Sequence, residues 1–332
     1  MKKKLFLLVV LLVINGVLIW QMVDRSESAQ SSFESEEMII EEEMVEEELP
    51  APTIHTAIPL VEPEQQYEKS SELVYDMETK EILYANNIDT PLGLASVTKT
   101  MTLYILMEKM TAGEITLDDT VVLSPHFFQK YQISGLASAG LRSGETYRIE
   151  DLLKAITTVS ANDAAVALAE ALGGTEENFV RMMNERAHRL EMTNATYENA
   201  TGLTMPNEYN RASARDLATL AEALITNYPQ ILQYTSLTGH MMPNGYYAKT
   251  TNLALEGQPA YLPCIDGLKT GYTIEAGQNF IGTGEIEGTR FLVVLQNAAP
   301  GDPNAKVAKF HRTGELVEQY VKPHIEKKNE EK

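Results

Sequence analysis

The chain has 332 residues, with 47 Asp and Glu against 27 Lys and Arg, a formal net charge of −20 and a hydrophobic fraction of 44%. That length and apolar content support one large domain, or two, with a sizeable core. The negative balance argues against nucleic acid as a partner. Cys264 is the only cysteine, which excludes an intrachain disulfide and with it a small disulfide-built module.

In chain order, Lys2-Lys3-Lys4 precede an apolar run from Leu5 to Val23, broken only by Asn15-Gly16 and Gln21. This is about the length of a membrane span. The alternative is a cleaved signal peptide, although no good A-x-A site follows. Residues 1–25 are therefore expected to be a signal-anchor with its lysines cytoplasmic and the rest of the chain outside, or a signal peptide whose removal leaves the protein secreted. Residues 26–69 read as a linker: nine of the sixteen residues from Phe33 to Glu48 are Glu, and Pro50, Pro52, Pro59 and Pro63 follow. From Ser26 to Glu72 the net charge is −13, and like-charge repulsion with little apolar surface predicts extension and not packing. The run is either a spacer that lifts a domain off an anionic membrane or a solubilising tether. Residues 73–332 carry the remaining, milder −10.

Leu73–Met77 and Glu81–Asn86 alternate around Glu78-Thr79-Lys80 and predict a hairpin. A helical middle is expected from Ser96 to about Asn227. It includes a helix through Met101–Met110 that is apolar almost all round, hence buried, and helices near Asp151–Thr158 and Asp163–Leu172. Thr175–Leu190 and Ser213–Thr226 complete it, the last opening with the capping-box pattern Ser213-x-x-Asp216. Strands are expected at Tyr246–Thr251, Asn279–Glu285 and Arg290–Gln296, and a last helix at about Ala305–Val321. Strands at both ends enclosing helices predict an α+β fold, an antiparallel sheet flanked by helices with an all-helical lobe. The charged residues 323–332 read as a tail.

Three short patterns carry chemistry. Ser96-Val97-Thr98-Lys99 puts a hydroxyl one helical turn before an amine, and residues three apart share a helix face. Burial disfavours a lysine's charged form, and a neutral amine beside a serine is a general base. A serine cap with a solvated lysine would read the same way. Ser160-Ala161-Asn162 falls on the connection between two predicted helices, where a serine and an amide can face one cavity, or merely cap. Lys269-Thr270-Gly271 opens a strand-like stretch after an Asp266-Gly267 turn. Each pattern occurs once. The six histidines form no metal-ligand cluster, and Cys264, without a histidine partner, reads as packing.

In this order, S-x-x-K, S-x-N and K-T-G, with their neighbours, the chain resembles low-molecular-mass D-alanyl-D-alanine carboxypeptidases, the penicillin-binding proteins of peptidase S11 type. The segments that carry the resemblance are Ala95–Thr102, Ser160–Ala165, Asp266–Thr273, Phe179–Asn184 and Asn199-Ala200-Thr201-Gly202-Leu203. It covers roughly residues 70–322 and implies the penicillin-recognising transpeptidase fold. It further implies that Ser96 is acylated by the penultimate D-Ala carbonyl of a peptidoglycan stem peptide, and that Lys99 is the base. Ser160 would relay a proton to the leaving amine and Asn162 would hold the substrate amide. Lys269 and Thr270 would bind the terminal carboxylate, and the backbone N–H groups of Ser96 and of Tyr272, just after Gly271, would form the oxyanion hole. No cofactor or metal is implied; β-lactam antibiotics are implied as inhibitors, and the bacterial cell membrane as the location. Leu190-Glu191-Met192 and Leu295-Gln296-Asn297-Ala298 depart from the family's usual Leu-Gly-Met and Leu-Gly-Ala. Rival readings are a β-lactamase, a DD-endopeptidase of the same fold, or a catalytically silent binder of cell-wall peptides. The first is disfavoured because no Glu-x-x-Leu-Asn segment lies between Ser160 and Lys269.

Overall fold

The structure is a computed structural model that describes residues 69–300 and 305–331. The apolar segment 1–25 and all but Lys69 of the expected linker 26–69 lie outside the described residues. Among those described, no helix is long and apolar enough to cross a membrane.

Strands β1 (Ser71–Asp76) and β2 (Ile82–Asn86) form the expected hairpin. A short strand β3 (Leu92–Gly93) leads into the 3₁₀ turn Ala95–Thr98 and helix α1 (Lys99–Thr111). Then come β4 (Thr120–Val122), α2 (His126–Lys130), β5 (Thr146–Arg148), α3 (Ile149–Thr157), α4 (Asn162–Gly173) and α5 (Glu176–Arg189). The chain continues through β6 (Arg211–Ala212), α6 (Ala214–Asn227), α7 (Leu232–Thr235), β7 (Gly239–Met241) and β8 (Tyr247–Lys249). It ends with β9 (Ile265–Thr273), β10 (Gly277–Ile286), β11 (Thr289–Gln296), α8 (Ala305–Leu316), a π-turn over Val317–Val321, and α9 (Lys322–Glu330).

The main sheet is antiparallel throughout, in the order β2-β1-β11-β10-β9, so the two ends of the domain meet at its centre. Successive side chains of a strand point to opposite faces. Leu73, Ile281, Leu292 and Val294 join the core of the helical lobe, while Val74, Phe280, Phe291, Val293 and Leu295 pack under Phe310, Leu316, Val321 and Ile325. A sheet covered on both sides needs unbroken apolar strands, which is why Phe291–Leu295 shows no polar alternation. Helix α1 runs through the lobe with residues 99–107 all buried, as its all-round apolar sequence demands. The Ser213–Asp216 capping box of α6 forms in both directions.

Four expectations change. Asp266-Gly267 is not a turn before a strand: β9 already includes it, with Gly267 opposite Thr283. The stretch Tyr246–Thr251 gives only β8, which pairs with β7 outside the main sheet. Within the helical lobe, β4 and β5 form a two-stranded ribbon, and β3 pairs with β6. The expected tail is helical over its described part: α9 reaches Glu330, buries Ile325, and ties to the first hairpin through His324 Nε2–Asp76 (2.8 Å) and Lys328–Glu78 (2.7 Å). Pro323 falls in the first turn of α9, directly after the π-turn.

Candidate active site

Ser96 lies in the 3₁₀ turn, not in α1 itself. With three residues per turn, positions i and i+3 eclipse, and the Lys99 amine reaches the Ser96 hydroxyl at 2.9 Å. Ala95 has φ +46°, a left-handed conformation that turns the chain sharply from β3 into the nucleophile. Lys99 is completely buried, and its nitrogen has two further neighbours, Asn162 Oδ1 at 2.8 Å and the Thr201 carbonyl at 2.6 Å. Burial drives its pKa well below the ordinary lysine value, and the Lys269 cation adds to that, opposed by Asp163. A neutral amine has two N–H donors and one lone pair. The two N–H groups match the Asn162 and Thr201 oxygens, so the lone pair faces the Ser96 hydroxyl. With the amine neutral, that arrangement can serve as a general base beside a hydroxyl nucleophile.

Asn162 opens α4. Its Nδ2 donates to the Ala137 carbonyl (3.0 Å), so its oxygen is committed to Lys99 and one N–H to the 137–141 loop. The neighbouring Asp163, fully buried, anchors the same loop through Ser138 Oγ (2.5 Å) and the backbone N–H groups of Ala139 and Leu141. Ser160, at φ +62°, aims its hydroxyl at the amine of Lys269 (2.8 Å), which also donates to the Thr270 carbonyl (2.8 Å). Lys269 is buried on the edge strand β9; burial, with Lys309 nearby, pulls its pKa down to about 7. Thr270 Oγ1 meets Thr251 Oγ1 at 2.6 Å. Gly271 lets β9 approach the nucleophile, since a Cβ there would stand 2.9 Å from Val97 N, 3.0 Å from Leu94 O and 3.1 Å from Ser96 N. Tyr272, the next residue, is 58% exposed.

The structure therefore brings Ser96, Lys99 and Asn162 into one bonded group and Ser160, Lys269 and Thr270 into another, with Gly271 packed against the nucleophile turn. Other contributors were not assigned from sequence. The Thr201 carbonyl is a backbone atom that any residue type offers. Its loop is set by Asn199 Oδ1, which accepts from Thr201 N, Thr201 Oγ1 and Gly202 N. Gly202 has φ +82°, and a Cβ there would fall 1.8 Å from the Ala95 carbonyl, so only glycine allows this loop against the nucleophile. Glu176, buried at the start of α5, holds the loop from behind. It accepts from Ala200 N (3.0 Å) and Tyr131 OH (2.5 Å) and meets His126 Nε2 (2.9 Å) and Lys130 (3.2 Å). Acidic residues in a helix's first turn are ordinary, so Glu176 gave no signal of its own. Cys264 lies outside both groups, partly buried against the lower core. Among the described residues no cluster of His, Cys, Asp and Glu is arranged to hold a metal.

The D-alanyl-D-alanine carboxypeptidase family model, peptidase S11, matches residues 59–299. D-alanyl-D-alanine carboxypeptidase DacF of Bacillus subtilis (strain 168) is 33% identical over 249 residues, covering 74% of this chain and 61% of its own length. The chain thus spans less than two thirds of that relative. A peptidoglycan synthesis regulatory factor (PBP3) from Streptococcus pneumoniae aligns with TM-score 0.71 and 35% identity, covering 75% of this chain and 70% of its own. Penicillin-binding protein D2 from Listeria monocytogenes, in its cefotaxime-bound form, aligns with TM-score 0.65 and 31% identity over 75% of this chain and 95% of its own. Ser96–Lys99, Ser160–Asn162 and Lys269–Gly271 all fall inside the matched region, and the chain belongs to the D-alanyl-D-alanine carboxypeptidase family, peptidase S11.

Proposed function

We propose that this protein is a serine-type D-Ala-D-Ala carboxypeptidase that removes the terminal D-alanine from peptidoglycan stem peptides and is acylated by penicillins. The observation that carries the reading is the Lys99 amine, buried without a carboxylate partner and 2.9 Å from Ser96 Oγ. In this mechanism Lys99 takes the Ser96 proton as Oγ attacks the penultimate carbonyl. The backbone N–H groups of Ser96 and Tyr272 receive the developing oxyanion, a device that typically contributes 10²–10³ in rate. Ser160, hydrogen-bonded to Lys269, gives its proton to the leaving D-alanine nitrogen and takes in its place the proton that Lys99 received from Ser96, so both residues are restored. Lys269 and Thr270 take the terminal carboxylate, and the second Asn162 N–H takes the substrate amide. Water then releases the shortened peptide from Ser96.

We further propose an extracytoplasmic location at the bacterial membrane, with residues 1–25 as anchor; the support is the lysine-flanked apolar run alone. The test is D-alanine release from a pentapeptide ending in D-Ala-D-Ala. Wild type releases one equivalent of D-alanine per peptide and Ser96→Ala none. Release by Ser96→Ala at the wild-type rate overturns the nucleophile. Cleavage only of cross-linked dimers points to an endopeptidase, and rapid loss of a penicillin adduct to a β-lactamase.

A further inference from the structure

Thr251 lies outside the three motifs, yet beside the direct Ser160–Lys269 bond it makes a second link between two of them. Its backbone N–H donates to the Thr158 carbonyl at 3.1 Å, two residues before Ser160. Its hydroxyl stands 3.3 Å from the same carbonyl and 2.6 Å from Thr270 Oγ1 on β9. We propose that Thr251 is a positioning residue that turns the Thr270 hydroxyl proton outward, so that the site prefers substrates ending in an ionised carboxylate. This rests on the carboxypeptidase reading above.

Each threonine hydroxyl has one proton to give and can accept. Were Thr270 to donate to Thr251, it would present only lone pairs to an incoming carboxylate and repel it. The proton of Thr251 has two acceptors within reach, and the nearer is Thr270 Oγ1. The Thr158 carbonyl already accepts the Thr251 N–H, so it is not left unmatched when the hydroxyl turns away. With Thr251 donating, Thr270 has its own proton free. A hydrogen bond to a charged acceptor is among the stronger ones, and Thr270 is 5% exposed, so little water competes.

The test compares KM and kcat on one stem peptide with a free-acid and with an amidated C-terminus, for wild type, Thr251→Val, Thr251→Ser, Thr270→Val and the Thr251→Val/Thr270→Val pair. Valine keeps the shape of threonine without the hydroxyl. Thr251→Val removes the partner that fixes the Thr270 hydroxyl and raises KM for the free acid about threefold, because the freed hydroxyl is no longer held in one of its three staggered wells. It leaves kcat within about twofold and the amide unchanged, and Thr251→Ser restores the wild-type KM. In the Thr270→Val background, Thr251→Val adds nothing, because its route of action is gone. Equal losses on both substrates, or additive losses in the double variant, overturn the proposal. If wild type releases no D-alanine, the carboxypeptidase reading fails, and the same comparison is made with acylation by benzylpenicillin and its methyl ester.

Discussion

Lys269 offers the sharpest quantitative consequence of the site. Its amine is buried against Ser160 and the Thr270 carbonyl, and burial, then the nearby Lys309 cation, pulls its pKa to about 7. In the proposed role only the charged form attracts a terminal carboxylate, so affinity for a free-acid substrate falls as pH rises through 7. Each unit above that pKa costs about tenfold, and at pH 9 about 1% of the lysine is protonated, which predicts kcat/KM about 100-fold below its plateau. On the acid side Lys99 must be neutral to act as base, so activity also falls as Lys99 takes up a proton. The profile for a free-acid peptide is therefore a bell. An amidated peptide does not use the Lys269 charge and shows the acid limb without the fall above pH 7. Lys309 is itself buried, with Gln278 Oε1 at 2.8 Å as its partner. Burial pulls the Lys309 pKa down to about 7 as well, so its charge fades over the same range and Lys309→Met moves the alkaline limb only slightly to higher pH. The assay is D-alanine release from both peptides between pH 5 and 10. An alkaline limb shared equally by acid and amide would refute the assignment of Lys269, and one that begins only near the ordinary lysine value would refute the lowering of its pKa by burial.

Other consequences are simpler to check. Gly271→Ala places a methyl group 2.9 Å from Val97 N and should push β9 from the nucleophile turn, slowing penicillin acylation at least about tenfold by stopped flow. Glu176→Ala leaves His126, Lys130, Tyr131 and Ala200 N without their shared carboxylate, and should lower stability by about 3–5 kcal/mol in urea unfolding. Burial raises the Glu176 pKa, but the hydrogen bonds from Tyr131, Ala200 N and His126 outweigh it and hold the value below the ordinary carboxylate range. A folded-state pKa below the unfolded one gives stability above the unfolded value that fades as pH falls through the folded one. Wild type should therefore lose stability below about pH 4.5, and Glu176→Ala should lose less of it there. Phe310→Ala empties a buried site that packs edge-on against Phe280 at 5.1 Å, and should cost about 3–5 kcal/mol.

The side chains that meet at the candidate site were legible in the sequence wherever the proposed chemistry demands a particular residue type. A hydroxyl and an amine three apart, and a lysine-threonine-glycine run, leave little freedom in what they can build. The all-round apolar α1 and the capping box of α6 were equally open to reading, because burial and capping act on the residues themselves. What sequence hid was carried by backbone atoms and by distant partners. The Thr201 carbonyl has no residue signature, and the meeting of Thr251 with Thr270 depends on a 2.6 Å contact across nineteen positions. Asp266-Gly267 reads as a turn from local propensity, yet pairing with β10 overrides it. The α9 extension was masked by its charges, since only Ile325 is buried there and the rest is fixed by ion pairs to the first hairpin.

The most direct test of the central claim is intact-protein mass spectrometry after exposure to benzylpenicillin, followed by peptide mapping, on wild type and Ser96→Ala. Wild type should gain the mass of one penicillin on the peptide containing Ser96, and Ser96→Ala should gain none. An adduct that persists in Ser96→Ala, or that maps to another residue, would contradict Ser96 as the nucleophile activated by Lys99.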